Sequence, residues 1–126
     1  MRLGTRGGSL ALSLVLMSGA AFGMSLSAAL KNYYAQFEIV LDCEEQAQLT
    51  TAEVDAAEVA INKIETYYLN KDSSIDKEHL LKQAVSDKNE GFRIMARSGG
   101  GLRPYCQTSL SELLAKAKEI GPSGQE

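Results

Sequence analysis

Apolar residues recur along this chain at three- and four-residue intervals, which is the period of helices packed by one face. From Ser25 to about Gln48, Leu26, Leu30, Tyr33, Phe37 and Leu41 form one such stripe, with Cys43 on its flank beside Ile39 and Ala47. The next start is well marked. Thr50-Thr51-Ala52-Glu53 fits a capping box, and Leu49 with Val54 fits the hydrophobic staple that fixes the entry of a helix. Behind it, Val54, Ala57, Ile61, Ile64 and Tyr68 alternate three- and four-residue steps, the seam of a bundle helix.

Asn70-Lys71-Asp72-Ser73-Ser74 interrupts the period with turn-forming residues. Asp76 then caps a third helix, and Ile75 and Leu80 make a second staple. Leu81, Ala84, Val85, Phe92 and Met95 supply its apolar face, while the polar stretch Ser86–Glu90 and Gly91 predict a bend or break in its middle. Ser98-Gly99-Gly100-Gly101 ends it. A second capping-box pattern, Ser109-Leu110-Ser111-Glu112, predicts the start of a fourth helix burying Leu110, Leu113, Leu114 and Ala117 and stopped by Gly121-Pro122. No alternating strand pattern of useful length and no internal repeat occurs. The expected fold is a small all-α, four-helix domain over residues 24–121, followed by a flexible tail at 122–126.

The N-terminus carries a different signal. Arg2 and Arg6 precede an apolar run from Leu10 to Met17, and Ala21 and Gly23 take the small-residue positions of a cleavage site before Met24. That order predicts a secretory signal peptide over residues 1–23. The competing reading is an uncleaved anchor. The 24 residues between Arg6 and Lys31 carry no charge, which is long enough to span a bilayer, and Gly19 and Gly23 have the spacing of a helix-pairing motif. Several Gly and Ser residues in the run favour cleavage. Both readings place the remaining chain outside the cytoplasm, periplasmic or secreted, with membrane contact only during export or through the anchor.

That compartment gives meaning to the cysteines. Cys43 and Cys106 are the only two, and an even count in an oxidising compartment predicts one internal disulfide. A redox role would call for a Cys-x-x-Cys pair or an activating neighbour. Instead Asp42, Glu44 and Glu45 flank Cys43 and disfavour its thiolate. The bond is expected to join the end of the first helix to the loop before the last.

Charge narrows the partners. The whole chain carries a formal −3; without residues 1–23, 11 Lys and Arg stand against 16 Asp and Glu, about −5. An acidic domain is poorly suited to nucleic acid. Eight acids and one base, Lys63, lie between Glu38 and Glu65. Glu38, Asp42 and Glu45 share a helical face, as do Asp55 and Glu58, and the first three are the candidate acidic binding face for a basic protein partner. Arg93 and Arg97, four apart, and Arg103 beyond the glycines are candidate anion contacts. That loop follows a helix C-terminus, however, where the dipole repels anions.

Catalytic chemistry has little to stand on. His79 is the only histidine, so neither a zinc site nor a serine–histidine pair is well supported, and no cofactor or metal is expected. The tyrosines come as Tyr33-Tyr34 and Tyr67-Tyr68, with Tyr105 beside a cysteine; in each pair one ring faces the core and the other lies at the boundary. The expectation is a small exported interaction protein and not an enzyme: an inhibitor, immunity or accessory factor for a cell-envelope enzyme. The alternatives are a small cell-wall hydrolase using two carboxylates and a binder of a small ligand within the bundle.

Overall fold

The computed structural model describes residues 25–121; the signal peptide expected at 1–23 and the tail expected at 122–126 both lie outside the described residues. Four helices make the described chain: α1 (Leu26–Glu45), α2 (Thr51–Lys71), α3 (Lys77–Ser98) and α4 (Leu102–Ile120). The all-α, four-helix expectation holds, and no strand occurs among the described residues.

Local chemistry sets most of the ends. Ser25 caps α1 by accepting the Ala28 N–H at 3.0 Å. At α2 the capping box is complete: Glu53 donates its N–H to Thr50 Oγ1 at 3.1 Å, and Thr50 donates its own N–H to Glu53 Oε1 at 2.9 Å. That Thr50 bond holds the Glu53 carboxyl below its ordinary range. Asp76 caps α3 through the His79 N–H at 3.1 Å, and Gly99 closes it in the left-handed conformation at φ 78°.

The end of α1 differs from expectation. The helix stops at Glu45, and Ala47 turns left-handed at φ 60°, the only non-glycine residue among those described to do so. Gln48 donates to the Cys43 carbonyl at 2.8 Å and Ala47 to the Glu44 carbonyl at 3.0 Å. This is the pair of bonds that ends a helix at a residue usually glycine, and a Cβ there costs about 1 kcal/mol. Ala47→Gly is therefore expected to raise stability by about 0.5–1 kcal/mol. A higher urea midpoint at unchanged slope is the confirming measurement; an unchanged or lower midpoint rejects the argument.

The helices are not equivalent. α1 packs against all three others, and α2 and α4 also pack against each other, whereas α3 rests mainly on α1. Cys43 meets Cys106, and Gln36 donates to Glu112, so α1 and α4 run antiparallel. Thr51 at the start of α2 bonds Glu44 near the end of α1, while Tyr34 bonds Glu65 farther along, so these two are antiparallel as well. Leu30, Val40, Ile64 and Leu113 are completely enclosed where the three helices meet, together with both cysteines.

This central position explains a correction on α1. The residues it buries are Leu30, Tyr34, Ala35, Ile39, Val40 and Cys43; Tyr33, Phe37 and Leu41 are half-buried, and Leu26 is 37 % exposed. A helix contacted by three neighbours buries residues around its circumference, so a single stripe misplaces its core. On α2, which has fewer neighbours, the expected Val54, Ala57, Ile61, Ile64 and Tyr68 are all buried.

Two further expectations are corrected. α3 runs unbroken through Ser86–Gly91. Lys88 there reaches Asp42 of α1 at 2.9 Å, and the hydroxyl of Tyr105 lies where a Cβ on Gly91 would be, so the glycine admits a ring and does not break the helix. α4 begins at Leu102, seven residues before the expected Ser109. Pro104 sits in its first turn, where a missing N–H costs nothing, and Ser109 is a buried interior residue. Cys106 accordingly lies inside α4 and not in the preceding loop. The disulfide itself is present, with S–S 2.06 Å and Cα–Cα 6.0 Å. It locks the first turns of α4 to the last turns of α1.

Candidate functional site: the groove between α1 and α4

Below the disulfide, α1 and α4 present matching stripes to one another. α1 contributes Ala29, Asn32, Tyr33 and Gln36; α4 contributes Glu112, Ala115, Lys116 and Glu119. Each stripe has the i, i+3, i+4, i+7 spacing that keeps four side chains on one helix face. Ala29 and Ala115 add no bulk beyond Cβ, and the space left between the helices is about 360 Å³.

The polar groups of this groove are partly engaged with one another. Gln36 donates its Nε2–H to Glu112 Oε1, across 76 residues of sequence. Its other amide atom, Oε1, is buried with no hydrogen-bond partner, the one such side-chain atom among the described residues. Lys116 donates to Glu119 Oε1 at 3.2 Å and lies 5.7 and 5.8 Å from the ring centroids of Tyr67 and Tyr68. Tyr33 stacks on Tyr68 with centroids 6.3 Å apart, so one aromatic wall continues from the groove into α2.

Both titratable groups at the centre keep their ordinary neutral-pH forms. Burial raises the Tyr33 hydroxyl, although Lys116 pulls it down. Burial opposes the Lys116 charge, but Tyr68, Glu119 and Tyr33 more than offset it and raise its pKa. The groove thus offers a neutral phenol, an ammonium, two carboxylates and an amide oxygen lacking a donor, arranged for non-covalent recognition.

A second cleft of about 210 Å³ lies between α1, α2 and α3, lined in part by Tyr34, Glu38, Glu65 and Lys77. Its groups satisfy each other. Tyr34 donates to Glu65 Oε2 at 2.5 Å, and Lys77 contacts the same oxygen at 3.1 Å. Burial and the Glu65 bond push the Tyr34 hydroxyl well above its usual range.

The residues singled out from sequence are dispersed. Of the acidic face, Asp42 is tied to Lys88, Glu38 is half-buried beside the second cleft, and Glu45 is exposed near the end of α1. Of the arginines, Arg93 pairs with Glu90 within α3, Arg97 is exposed in its last turn, and Arg103 donates to the Gln48 carbonyl at 3.0 Å. Arg103 thereby fastens the α1–α2 turn to α4. Each tyrosine pair has one buried and one half-buried ring: Tyr68 is buried beside Tyr67 as the α2 seam implied, whereas on α1 the buried ring is Tyr34 and not the stripe residue Tyr33.

The groove carboxylates escaped the sequence argument. Glu112 reads as part of a cap, and nothing in the local pattern singles out Glu119. The available signal was the polar stripe Glu112, Lys116, Glu119 running beside Leu113, Ala117 and Ile120. Among the described residues, no group of three or more His, Cys, Asp or Glu could hold a metal, and no helix is long and apolar enough to cross a membrane. The chain matches no protein-family model, and comparison with curated proteins and with solved structures gives no match.

Proposed function

We propose that the chain is a small exported binding protein, periplasmic or secreted, that acts by contact with another protein of the cell envelope as an inhibitor, immunity or accessory factor. The α1–α4 groove is its contact surface. The observation that carries this reading is the buried Gln36 oxygen left without a donor beside a half-buried tyrosine, on two helices fixed by a disulfide. An unmet buried acceptor is costly in a free protein and is relieved when a partner supplies a hydrogen. Half-buried tyrosine is also a residue type enriched at protein contacts. The basic and apolar N-terminus supports export, and the disulfide is compatible with an oxidising compartment.

A photo-crosslinking side chain placed at Ala115, in the groove, is expected to yield a discrete adduct in the cells that make the protein. The same probe at Val59, 65 % exposed on α2, is expected to yield none. Adducts from Val59 but not Ala115, or from neither, would count against the groove.

A second reading, a small-ligand binder, is favoured by one observation: about 360 Å³ falls within the usual size of ligand sites. The hydrolase reading drew on the acids between Glu38 and Glu65, and none of these lines the groove.

A further inference from the structure

We infer that the group received by the α1–α4 groove is the guanidinium of an arginine side chain on the protein partner; this rests on the groove being the contact surface. Three observations converge. The first is a surplus of acceptors. Gln36 gives one of its two amide N–H groups to Glu112, and its own Oε1 is buried without a partner, so it meets a donor once the side chain turns toward an incoming group. Glu112 is exposed and has acceptor capacity beyond that one bond. The groove's cation, Lys116, is already directed at Glu119 and the Tyr67 and Tyr68 rings.

The second is charge. Two carboxylates face one ammonium, so the lining is net negative, and the chain as a whole carries −3. A cation is drawn in by both the local and the overall field. The third is shape. A guanidinium is a planar fork of five N–H donors that can grip a carboxylate and still reach an amide oxygen, and it stacks on aromatic rings. Tyr33 supplies the ring. A lysine ammonium is more strongly hydrated and lacks the fork, so it fits less well.

The test uses the oxidised protein and a blocked pentapeptide, acetyl-Gly-Gly-Arg-Gly-Gly-amide, followed by two-dimensional NMR of backbone and side-chain amides. Saturable shifts are expected at Tyr33, Gln36, Glu112 and Lys116. Affinity is expected to fall about tenfold when arginine is replaced by its neutral isostere citrulline, and again on Glu112→Gln. Glu112 is exposed, and unchanged helical circular dichroism and melting temperature of the variant would show that its fold persists. Equal affinity for the citrulline peptide, an unaffected Glu112→Gln variant, shifts spread to Asp55 and Glu58 on α2, or no saturable shift at millimolar peptide would each overturn the inference. If the Ala115 crosslink forms while the arginine peptide fails, the contact surface stands and the ligand class falls. If both fail, both fall.

Discussion

Reducing the Cys43–Cys106 bond is expected to remove about 4 kcal/mol of stability, because the bond closes a loop of about 64 residues in the unfolded chain. Domains of this size have a total of only about 5–15 kcal/mol, so the reduced protein is left close to unfolding. Its melting temperature should fall by about 15–30 °C. Thermal circular dichroism with and without reductant measures this directly, and Cys43→Ala with Cys106→Ala repeats it without reagent. A fall of less than about 5 °C would mean that packing of α1 on α4 carries the load without the bond. The position of the bond adds a local expectation. Cys106 is the fifth residue of α4, whose first turns have Gly101 as N-cap and no side-chain cap. Amide exchange after reduction should therefore rise first over Leu102–Ser109. Both sulfurs are fully buried, and three acids flank Cys43, so exchange with external thiols requires prior opening.

What was legible from sequence follows how local the determinants are. α2 was readable because its period, its staple and its capping box all lie within one stretch, and the structure keeps each. The start of α4 was misread for the same reason. Ser109-Leu110-Ser111-Glu112 meets the local rule for a helix start, but burial of Ser109 and the disulfide at Cys106 extend the helix upstream, where Pro104 is tolerated in the first turn. The stripe on α1 failed because a central helix has no single inner face. The groove was not legible at all. Gln36 and Glu112 are 76 residues apart, and their meeting depends on the register between two helices that the disulfide fixes, a relation that no window of the sequence contains. Likewise Asp42 looked like a free surface acid until α3 brought Lys88 to it.

Leu80→Ala is expected to release α3 while leaving the rest of the protein folded. Leu80 and Ala84 are the buried residues of this 22-residue helix, and Leu80 is the larger of the two anchors. Truncating a buried leucine costs about 2–5 kcal/mol. The polar ties that remain are Lys31–Asp87 at 3.3 Å, Lys88–Asp42 at 2.9 Å and Lys77–Glu65 at 3.1 Å. Pairs of this partly exposed kind contribute about 0–1 kcal/mol each and weaken in salt, so they do not offset the loss. Half-buried Leu81 and Phe92 also pack against the core, Phe92 on Tyr105 at 5.4 Å between centroids. Hydrogen exchange should accordingly lose protection over Lys77–Ser98, more so in high salt, with α1, α2 and α4 still slow. A uniform loss across all four helices would instead make α3 part of one cooperative core. The groove contains no residue of α3, and its two walls remain joined by the disulfide. A variant with α3 loosened should therefore still show the Tyr33 and Gln36 shifts on adding the arginine peptide, which separates the recognition element from the stability of the helix beside it.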